Sequence, residues 1–312
     1  LTINSTNITN KNFTWNTSIT LSHNKNSVKK LTGEDVQLWE ANFGYSQNTH
    51  IIGVNQPLGQ MYGYVTDGLY QVSDFDYDAA TKTYTLKDGV PYAGEKGNVK
   101  PGMWKFKNID GSKDNKITEA DKTVIGNAYP KIYGGINNTF TYKDFDLSIF
   151  LTYSIGNDVF NATKLTNTKT ALQNKNVLAV ADSKHRWVLV NKAGDLITDP
   201  QEMADINKGK TVAAIYDNEA GDTYIHSWAV EDGSFLKLSN ITLGYTFPKK
   251  MIRKVGLSKL RLYATGSNLL TWTKYSGFDP EVSTMGNGLT PGVDFGAYPR
   301  SRAFVFGINL AF

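Results

Sequence analysis

An acidic segment in the first half of the chain carries oxygen-bearing side chains at the spacing of a calcium-binding loop. Counted from Asp110, these oxygens fall at the first, third, fifth, ninth and twelfth positions, and a backbone carbonyl is expected to contribute at the seventh. The predicted ligands are Asp110, Ser112, Asp114, Lys116 through its carbonyl, Thr118 and Asp121. Because Ca²⁺ prefers several such hard oxygen ligands, the spacing predicts a calcium site.

Two positions of this segment depart from the usual calcium loop. Asn115 stands where the sharp turn normally has glycine, and Asn is among the few other residues that adopt left-handed backbone readily. Ser112 is a weaker match at the third position, and Glu119 is a substitute ligand if the loop is shifted. The competing interpretation is an acidic surface loop that binds no ion. For a bound ion we expect a structural role, because catalysis would require an open coordination position with a poised water.

Other catalytic motifs are absent from the sequence. The chain contains no cysteine, no Gly-x-Ser-x-Gly elbow and no glycine-rich phosphate loop followed by Lys-Ser/Thr. His185 and His226 have no partner at zinc-binding spacing, so we expect solvated or core histidines. The sequence therefore does not predict an enzyme.

Composition narrows the class of protein further. No stretch of the 312 residues approaches the roughly 20 consecutive apolar residues of a transmembrane helix. The sequence is still compatible with a membrane β-barrel, because barrel strands give a weaker hydropathy signal. The net charge of +4 comes from dispersed residues, while nucleic-acid binding would call for a clustered basic stripe. Leu1 is followed at once by strand-like sequence without a signal segment, so we expect a processed chain or a fragment.

The last residues of the chain predict an amphipathic strand. Large apolar side chains alternate there with small or polar ones, which places them on one face: Phe304, Phe306, Ile308, Leu310 and Phe312. That face suits either the core of a soluble sandwich or the lipid side of a barrel. The chain stops on an aromatic residue within the strand, where soluble domains usually fray, and this favours the barrel.

Similar alternation recurs upstream, with connections of unequal length. The strand-like segments are 13–21, 131–142, 145–153, 235–247 and 260–272, and the count is roughly eight strands for the chain, enough for the smallest barrel. A tight turn is expected at Lys143 and Asp144, a strand end at Pro248, and a short helical turn at 249–256. By contrast, 154–232 and 278–298 are long loops. Short turns on one side and long loops on the other are typical of outer-membrane barrels.

Several stretches resemble the SusC/RagA family of TonB-dependent outer-membrane transporters. They follow the family's order and span most of the chain: GQMYGYVTDGLYQ at 59–71, NIDGSKDNKITEADKTVIGNAYP at the start of 108–161, WAVEDGSFLKLSNITLGYTFPKK at 228–250, LRLYATGSNLLTWTKYSGFDPEV at 260–282 and DFGAYPRSRAFVFGINLAF at 294–312. Members of the family usually read Asp-x-Asn-x-Asp-Gly in the acidic loop, from which Ser112 and Asn115 depart.

The resemblance implies an all-β fold, an antiparallel transmembrane β-barrel with long extracellular loops. The family's barrel has about 22 strands and an N-terminal plug. Residues 1–312 correspond to its C-terminal part, with 108–126 as a calcium-loop-like segment inside a long loop. The plug and the N-terminal barrel strands have no counterpart in this chain. The implied location is the outer membrane.

The same resemblance implies an importer of glycans, oligosaccharides or peptides. Its partners would be a SusD-like surface lipoprotein, the TonB complex through the missing N-terminal region, outer-membrane lipid, and the remaining barrel and plug. Phe312 would be the signal that the barrel-assembly machinery reads. Two alternatives stay open: a calcium-stiffened extracellular β-sandwich that binds carbohydrate, and a surface receptor without transport.

Aromatic residues of the long loops are candidate platforms for sugar rings. They are Trp187, Tyr224, Trp228 and Tyr298. Aromatic residues are equally abundant in membrane-interface girdles, and we favour that interpretation or packing within the loops. No substrate-binding residue is therefore assigned from the sequence.

Overall fold

Strands dominate the computed structural model, which describes residues 1–41, 47–169, 176–216, 224–284 and 287–312. The strands in these ranges are β1 (Thr2–Thr9), β2 (Phe13–Ser22), β3 (Val36–Glu40), β4 (Asn48–Gly53), β5 (Gln60–Tyr64), β6 (Thr66–Leu69), β7 (Phe75–Asp78), β8 (Thr83–Leu86), β9 (Tyr92–Ala93), β10 (Trp104–Phe106), β11 (Lys116–Ile117), β12 (Lys122–Asn127), β13 (Ile132–Tyr142), β14 (Phe145–Ile155), β15 (Asp158–Asn161), β16 (Val230–Asp232), β17 (Phe235–Thr246), β18 (Lys259–Thr273), β19 (Val293–Asp294) and β20 (Ala303–Ala311).

Helices are few and short. The α-helices are α1 (Ala162–Asn167), α2 (Pro200–Ile206) and α3 (Lys249–Ile252). Single 3-10 turns lie at Val72–Asp74, Lys96–Asn98, Glu119–Asp121, Ala179–Ala181, Ser227–Ala229 and Arg253–Val255. Among the helices of the described ranges, none has the length and apolar content needed to cross a membrane.

The main element is a seven-stranded antiparallel sheet in the order β1-β2-β13-β14-β17-β18-β20. All strand-like segments predicted from the sequence belong to it. The sequence suggested about eight strands, and the sheet has seven. The other, shorter strands of the described ranges pair within the long connections. The turn at Lys143 and Asp144 joins Tyr142 to its partner Phe145, and β17 ends just before Pro248, as predicted.

One face of this sheet is apolar and open. The pairing register aligns Leu147, Leu243, Ala264 and Phe306 in one row across four strands. Leu243 is 52% exposed and Phe306 is 80% exposed, so this face is not the core of a sandwich. An apolar face of this kind, on tilted strands of about ten residues, is what a barrel presents to lipid.

The opposite face is polar and includes an ion pair across three strands. Arg261 Nε lies 2.9 Å from Asp146 Oδ1, and Arg261 Nη2 lies 2.5 Å from Asp146 Oδ2. The guanidinium reaches its partner by passing over Gly244, where a Cβ atom would sit 2.4 Å from Arg261 Nη2. Glycine at this position therefore leaves room for a bidentate pair on the face that would line the barrel.

Substituting Gly244→Ala should destabilise the barrel by about 1–3 kcal/mol, because the added methyl group displaces the guanidinium from its partner. The measurement is the temperature at which the full-length protein loses its folded, faster-migrating band on a detergent gel. In an Asp146→Ala background the ion pair is already lost, so the same substitution should have a smaller effect. Equal effects in the two backgrounds would show that the ion pair does not explain the glycine.

The connections between these strands differ at the two ends of the sheet. At one end they are 10–12, the two-residue turn at Lys143 and Asp144, and 247–258, which contains α3. At the other end they are 23–131, 156–234 and 274–302. The predicted asymmetry of loop length is confirmed, and the predicted helical turn at 249–256 corresponds to α3 with its following 3-10 turn.

The described residues of the three long connections fold together into one body, which we call the loop layer (residues 23–41, 47–131, 156–169, 176–216, 224–234, 274–284 and 287–302). One of its cores contains Met61 from the first connection, Phe160 and Ile225 from the second, and Val293 from the third. Strand pairing also crosses between connections, since β15 pairs in parallel with β19. The long connections are therefore a packed structure at one end of the sheet.

Candidate functional site

The predicted calcium loop forms a compact turn between β10 and β12. Asn115 has a φ of 56°, so it adopts the left-handed conformation expected of it. Asp110 Oδ1 accepts a hydrogen bond from the Ser112 backbone N–H at 2.8 Å, and Asp114 Oδ1 accepts one from the Lys116 N–H at 3.1 Å. The Lys116 N–H lowers the pKa of Asp114. Both exposed carboxylates thus stabilise their own turns.

Asp121 closes this loop from inside the protein. Its carboxylate is fully buried and accepts backbone hydrogen bonds from Ile109 at 2.7 Å, Asp110 at 3.2 Å and Thr118 at 2.8 Å. The neighbouring Ile117 is buried in a loop-layer core, as the apolar anchor of such a loop should be. The hydrogen bonds of Asp121 therefore join both ends of the segment.

The side chains of two other predicted ligands, Thr118 and Lys116, contact neighbouring residues. Thr118 Oγ1 accepts the Ala120 N–H at 3.2 Å, and Lys116 extends its ammonium group to Glu95 at 3.8 Å. Over the described ranges, no three His, Cys, Asp or Glu side chains are arranged so that they could hold a metal ion. A carboxylate oxygen keeps a second lone pair after accepting one hydrogen bond, so calcium binding here stays a prediction.

Three of the four candidate aromatic residues pack inside the loop layer. Trp187 is 2% exposed, and Tyr224 and Trp228 pack against the same core. Tyr298, by contrast, is 91% exposed. The interpretation as loop packing therefore holds for the first three, while Tyr298 is free to meet a ligand or a partner.

His226 is a core histidine in this aromatic cluster, whereas His185 is exposed and contacts Asp182. The His226 ring lies 4.8 Å from the Trp104 ring, centroid to centroid, and its Nδ1 lies 2.9 Å from Thr66 Oγ1. Burial, reinforced by nearby lysine ammonium groups, lowers the pKa of His226 from 6.5 to about 3. The ring is therefore neutral in the folded protein at physiological pH.

Acid should weaken the loop layer through this residue. In the unfolded layer His226 binds a proton below its ordinary pKa of 6.5, whereas in the folded layer it does so only near pH 3. The stability that the neutral His226 contributes is thus fully present above pH 6.5 and falls as the pH drops, by about 2 kcal/mol at pH 5. Hydrogen exchange of layer amides at pH 7 and pH 5 measures this change. His226→Gln should flatten the slope, and an unaltered slope would contradict the assignment.

Four charged residues fix the third connection to the sheet, a feature that sequence reasoning missed. Lys237 of β17 is 3% exposed, contacts Glu281 and lies 3.6 Å from Asp279. Arg300 contacts the same two acids at 2.8 and 3.2 Å. Nothing in the sequence links Lys237 to residues more than forty positions away, so only the fold reveals the cluster.

Phe312 follows β20 and has a 91% exposed side chain. Its backbone oxygen accepts a hydrogen bond from Ser258 Oγ at 3.2 Å, which holds the main chain against the connection 247–258. The phenyl ring is therefore accessible, as recognition by another protein would require. Its role as an assembly signal stays a prediction.

Sequence comparisons identify relatives along nearly the whole chain, although no family model matches it. The chain is 32% identical to TonB-dependent receptor P3 of Formosa agariphila over 99% of its own length, and 30% identical to receptor P39 of the same organism over 98%. It is 27% identical to TonB-dependent receptor SusC of Bacteroides thetaiotaomicron over 99%. The chain spans 28%, 29% and 26% of the lengths of these relatives, respectively.

Solved structures agree on the fold. The structure of the RagAB peptide transporter superposes on 100% of this chain with a TM-score of 0.65 at 22% identity, and the chain covers 28% of that neighbour. The RagAB peptide importer in its closed-closed state gives a TM-score of 0.62 at 20% identity, with 29% of the neighbour covered. These proteins are receptors and transporters rather than enzymes. Along nearly the whole chain, the relatives are therefore TonB-dependent receptors, SusC among them, and the solved structures share its fold.

Proposed function

We propose that this chain supplies part of the barrel wall and extracellular surface of a TonB-dependent outer-membrane importer. The cargo class is glycans, oligosaccharides or peptides. The observation that carries the proposal is a sheet with an open apolar face and a folded layer at one end, in a chain that TonB-dependent receptors match over 99% of its length. Lipid would contact the apolar face, and cargo would meet the loop layer.

The partners follow from the surfaces that the sheet leaves open. Within the described residues β1 and β20 are the outermost strands and each pairs on one side only, so the remaining barrel would supply strands for both edges. A plug would fill the barrel, and the TonB complex would act through residues outside this chain. A SusD-like lipoprotein would cover the loop layer, and Tyr298 offers it an exposed aromatic contact.

Uptake assays in the producing bacterium test the transport proposal. Deleting the receptor gene should abolish uptake of at least one member of a panel of labelled oligosaccharides and oligopeptides, and deleting TonB should abolish uptake of the same compound. Uptake of every compound at wild-type rates after either deletion would contradict the proposal.

The role of Phe312 in assembly has its own test. Phe312→Ala should reduce the amount of assembled receptor, and Phe304→Ala, which alters the exposed apolar face of the same strand, is the matched control.

A structural Ca²⁺ in segment 108–126 is part of the same proposal. Asp114 is the informative position, because its carboxylate is exposed and its removal leaves the hydrogen bonds of Asp121 intact. Elemental analysis of full-length protein purified with Ca²⁺ should show one ion fewer in Asp114→Ala than in wild type. Asp88→Ala, an exposed acid outside the segment, should retain the wild-type content. Equal calcium in all three proteins would exclude this loop as the site.

A further inference from the structure

A cavity of about 270 Å³ opens in the loop layer between the second and third connections. Its lining includes apolar residues, which we call the wall (Leu178, Val180, Phe278 and Ala297), and polar residues, of which we call two the floor (Asn161 and Asp294). The volume lies just below the roughly 300 Å³ at which pockets for whole small molecules begin. The cavity is therefore the size of a site for one part of a larger ligand.

The polar groups of the floor already form hydrogen bonds with neighbouring residues. Asn161 Nδ2 lies 3.3 Å from both Glu231 Oε1 and Ser276 Oγ, and Asn161 Oδ1 accepts the Lys164 N–H at the start of α1. Asp294 Oδ2 accepts the Tyr275 hydroxyl at 2.5 Å. These partners use both N–H groups of the Asn161 amide, so the two side chains can offer a ligand only their remaining acceptor lone pairs, which is few hydrogen bonds for a cavity of this size.

The charge nearest the cavity is compensated as well. Lys164 Nζ lies 3.0 Å from Glu231 Oε1, donates to the Trp228 backbone oxygen at 3.0 Å, and stands 4.1 Å from the centroid of the Trp228 ring. An anionic group at this position would therefore compete with an existing ion pair for the Lys164 ammonium group. The surface available to a ligand is chiefly aliphatic, together with the ring of Phe278, which is 75% exposed.

We propose that this cavity seats one large apolar side chain of a peptide cargo. The inference rests on the proposed function and narrows its cargo to peptides. A sugar unit carries a hydroxyl on most of its carbons, and burial here would strip those hydroxyls of water without replacing the lost hydrogen bonds. An aliphatic or aromatic side chain loses nothing comparable and gains from removal of its apolar area from water.

Peptide binding to the full-length receptor tests this inference. The receptor is held in lipid nanodiscs, because detergent chains would themselves enter an apolar cavity. The probes are the pentapeptides Gly-Gly-Phe-Gly-Gly and Gly-Gly-Ala-Gly-Gly, with maltohexaose as the sugar probe, measured by calorimetry. Wild type should bind the Phe peptide about tenfold more tightly than the Ala peptide. Ala297→Trp should fill the cavity and bring the two affinities together. Ser301→Trp, exposed on the same connection and outside the cavity, should keep the preference.

Several results would overturn the proposal. Wild type could bind the two peptides with equal affinity, or bind neither of them. Ala297→Trp could keep an undiminished preference for the Phe peptide. Finally, wild type could bind maltohexaose in a way that Ala297→Trp blocks, which would identify a sugar site. Phe278→Ala provides a second variant that removes only an exposed ring and should reduce the preference several-fold. TonB-dependent uptake in cells is measured separately. A wild-type receptor that lacks the peptide preference but still supports uptake would therefore overturn the cavity assignment alone.

Discussion

Replacing Trp187 by alanine is expected to lower the opening free energy of the loop layer by about 3–5 kcal/mol. The indole is 2% exposed and fills a core that also contains Trp104, Ala213 and Ala214. It lies so close to Gly102 that a Cβ atom there would sit 2.5 Å from the ring. Truncation would therefore leave a large cavity at a point where the first two connections meet.

Hydrogen exchange of backbone amides in β10 and at 212–214 measures this loss in the full-length protein. Trp272→Ala is the matched control, because that side chain is 52% exposed on β18 and contributes little to the layer. Its effect on the same amides should stay below about 0.5 kcal/mol. A Trp187→Ala effect as small as that of the control would show that the core does not depend on this ring.

The second large effect is expected at Asp121. Asp121→Ala leaves the Ile109, Asp110 and Thr118 N–H groups without their buried acceptor, which should cost on the order of 4 kcal/mol. Asp121→Asn keeps one acceptor oxygen and should cost less than Asp121→Ala. The readout is hydrogen exchange of the Ile109 and Thr118 amides together with the rate of tryptic cleavage at Lys113.

Asp88→Ala is the control for this experiment, because its side chain is exposed outside the loop and its loss should leave cleavage at Lys113 nearly unchanged. Adding a chelator to wild type separates the hydrogen bonds from an ion. Any protection that the chelator removes belongs to bound calcium, and the protection that remains belongs to Asp121. Rapid exchange in chelator-treated wild type, equal to that of Asp121→Ala, would contradict closure by hydrogen bonding.

The sheet was predictable from the sequence because each long strand carries a local signal. Alternation with a period of two places Phe304, Phe306 and Ile308 on one face, and the turn at Lys143 and Asp144 sets the register of its hairpin. Such local signals can be recognised without knowing which strand is the pairing partner. They also predicted the left-handed Asn115 and the strand end before Pro248.

The loop layer was not predictable, because its order comes from contacts between residues far apart in the chain. β15 is a four-residue strand that pairs with β16 and β19, and neither partner follows it closely in sequence. Lys237 meets Arg300 only through shared acids in the third connection. The spacing of oxygens at 110–121 was recognisable, but the burial of Asp121 and its three backbone donors depends on the folded surroundings.

The shared core of Met61, Phe160, Ile225 and Val293 limits how receptors of this kind can diverge or be engineered. A single connection grafted from a relative would arrive without its complementary neighbours and would leave part of that core unmatched. Chimeras that exchange all three connections together should assemble, whereas chimeras that exchange one should not. New specificity is therefore most accessible through rim residues such as Phe278 and Tyr298, whose exposed rings can change without repacking the interior.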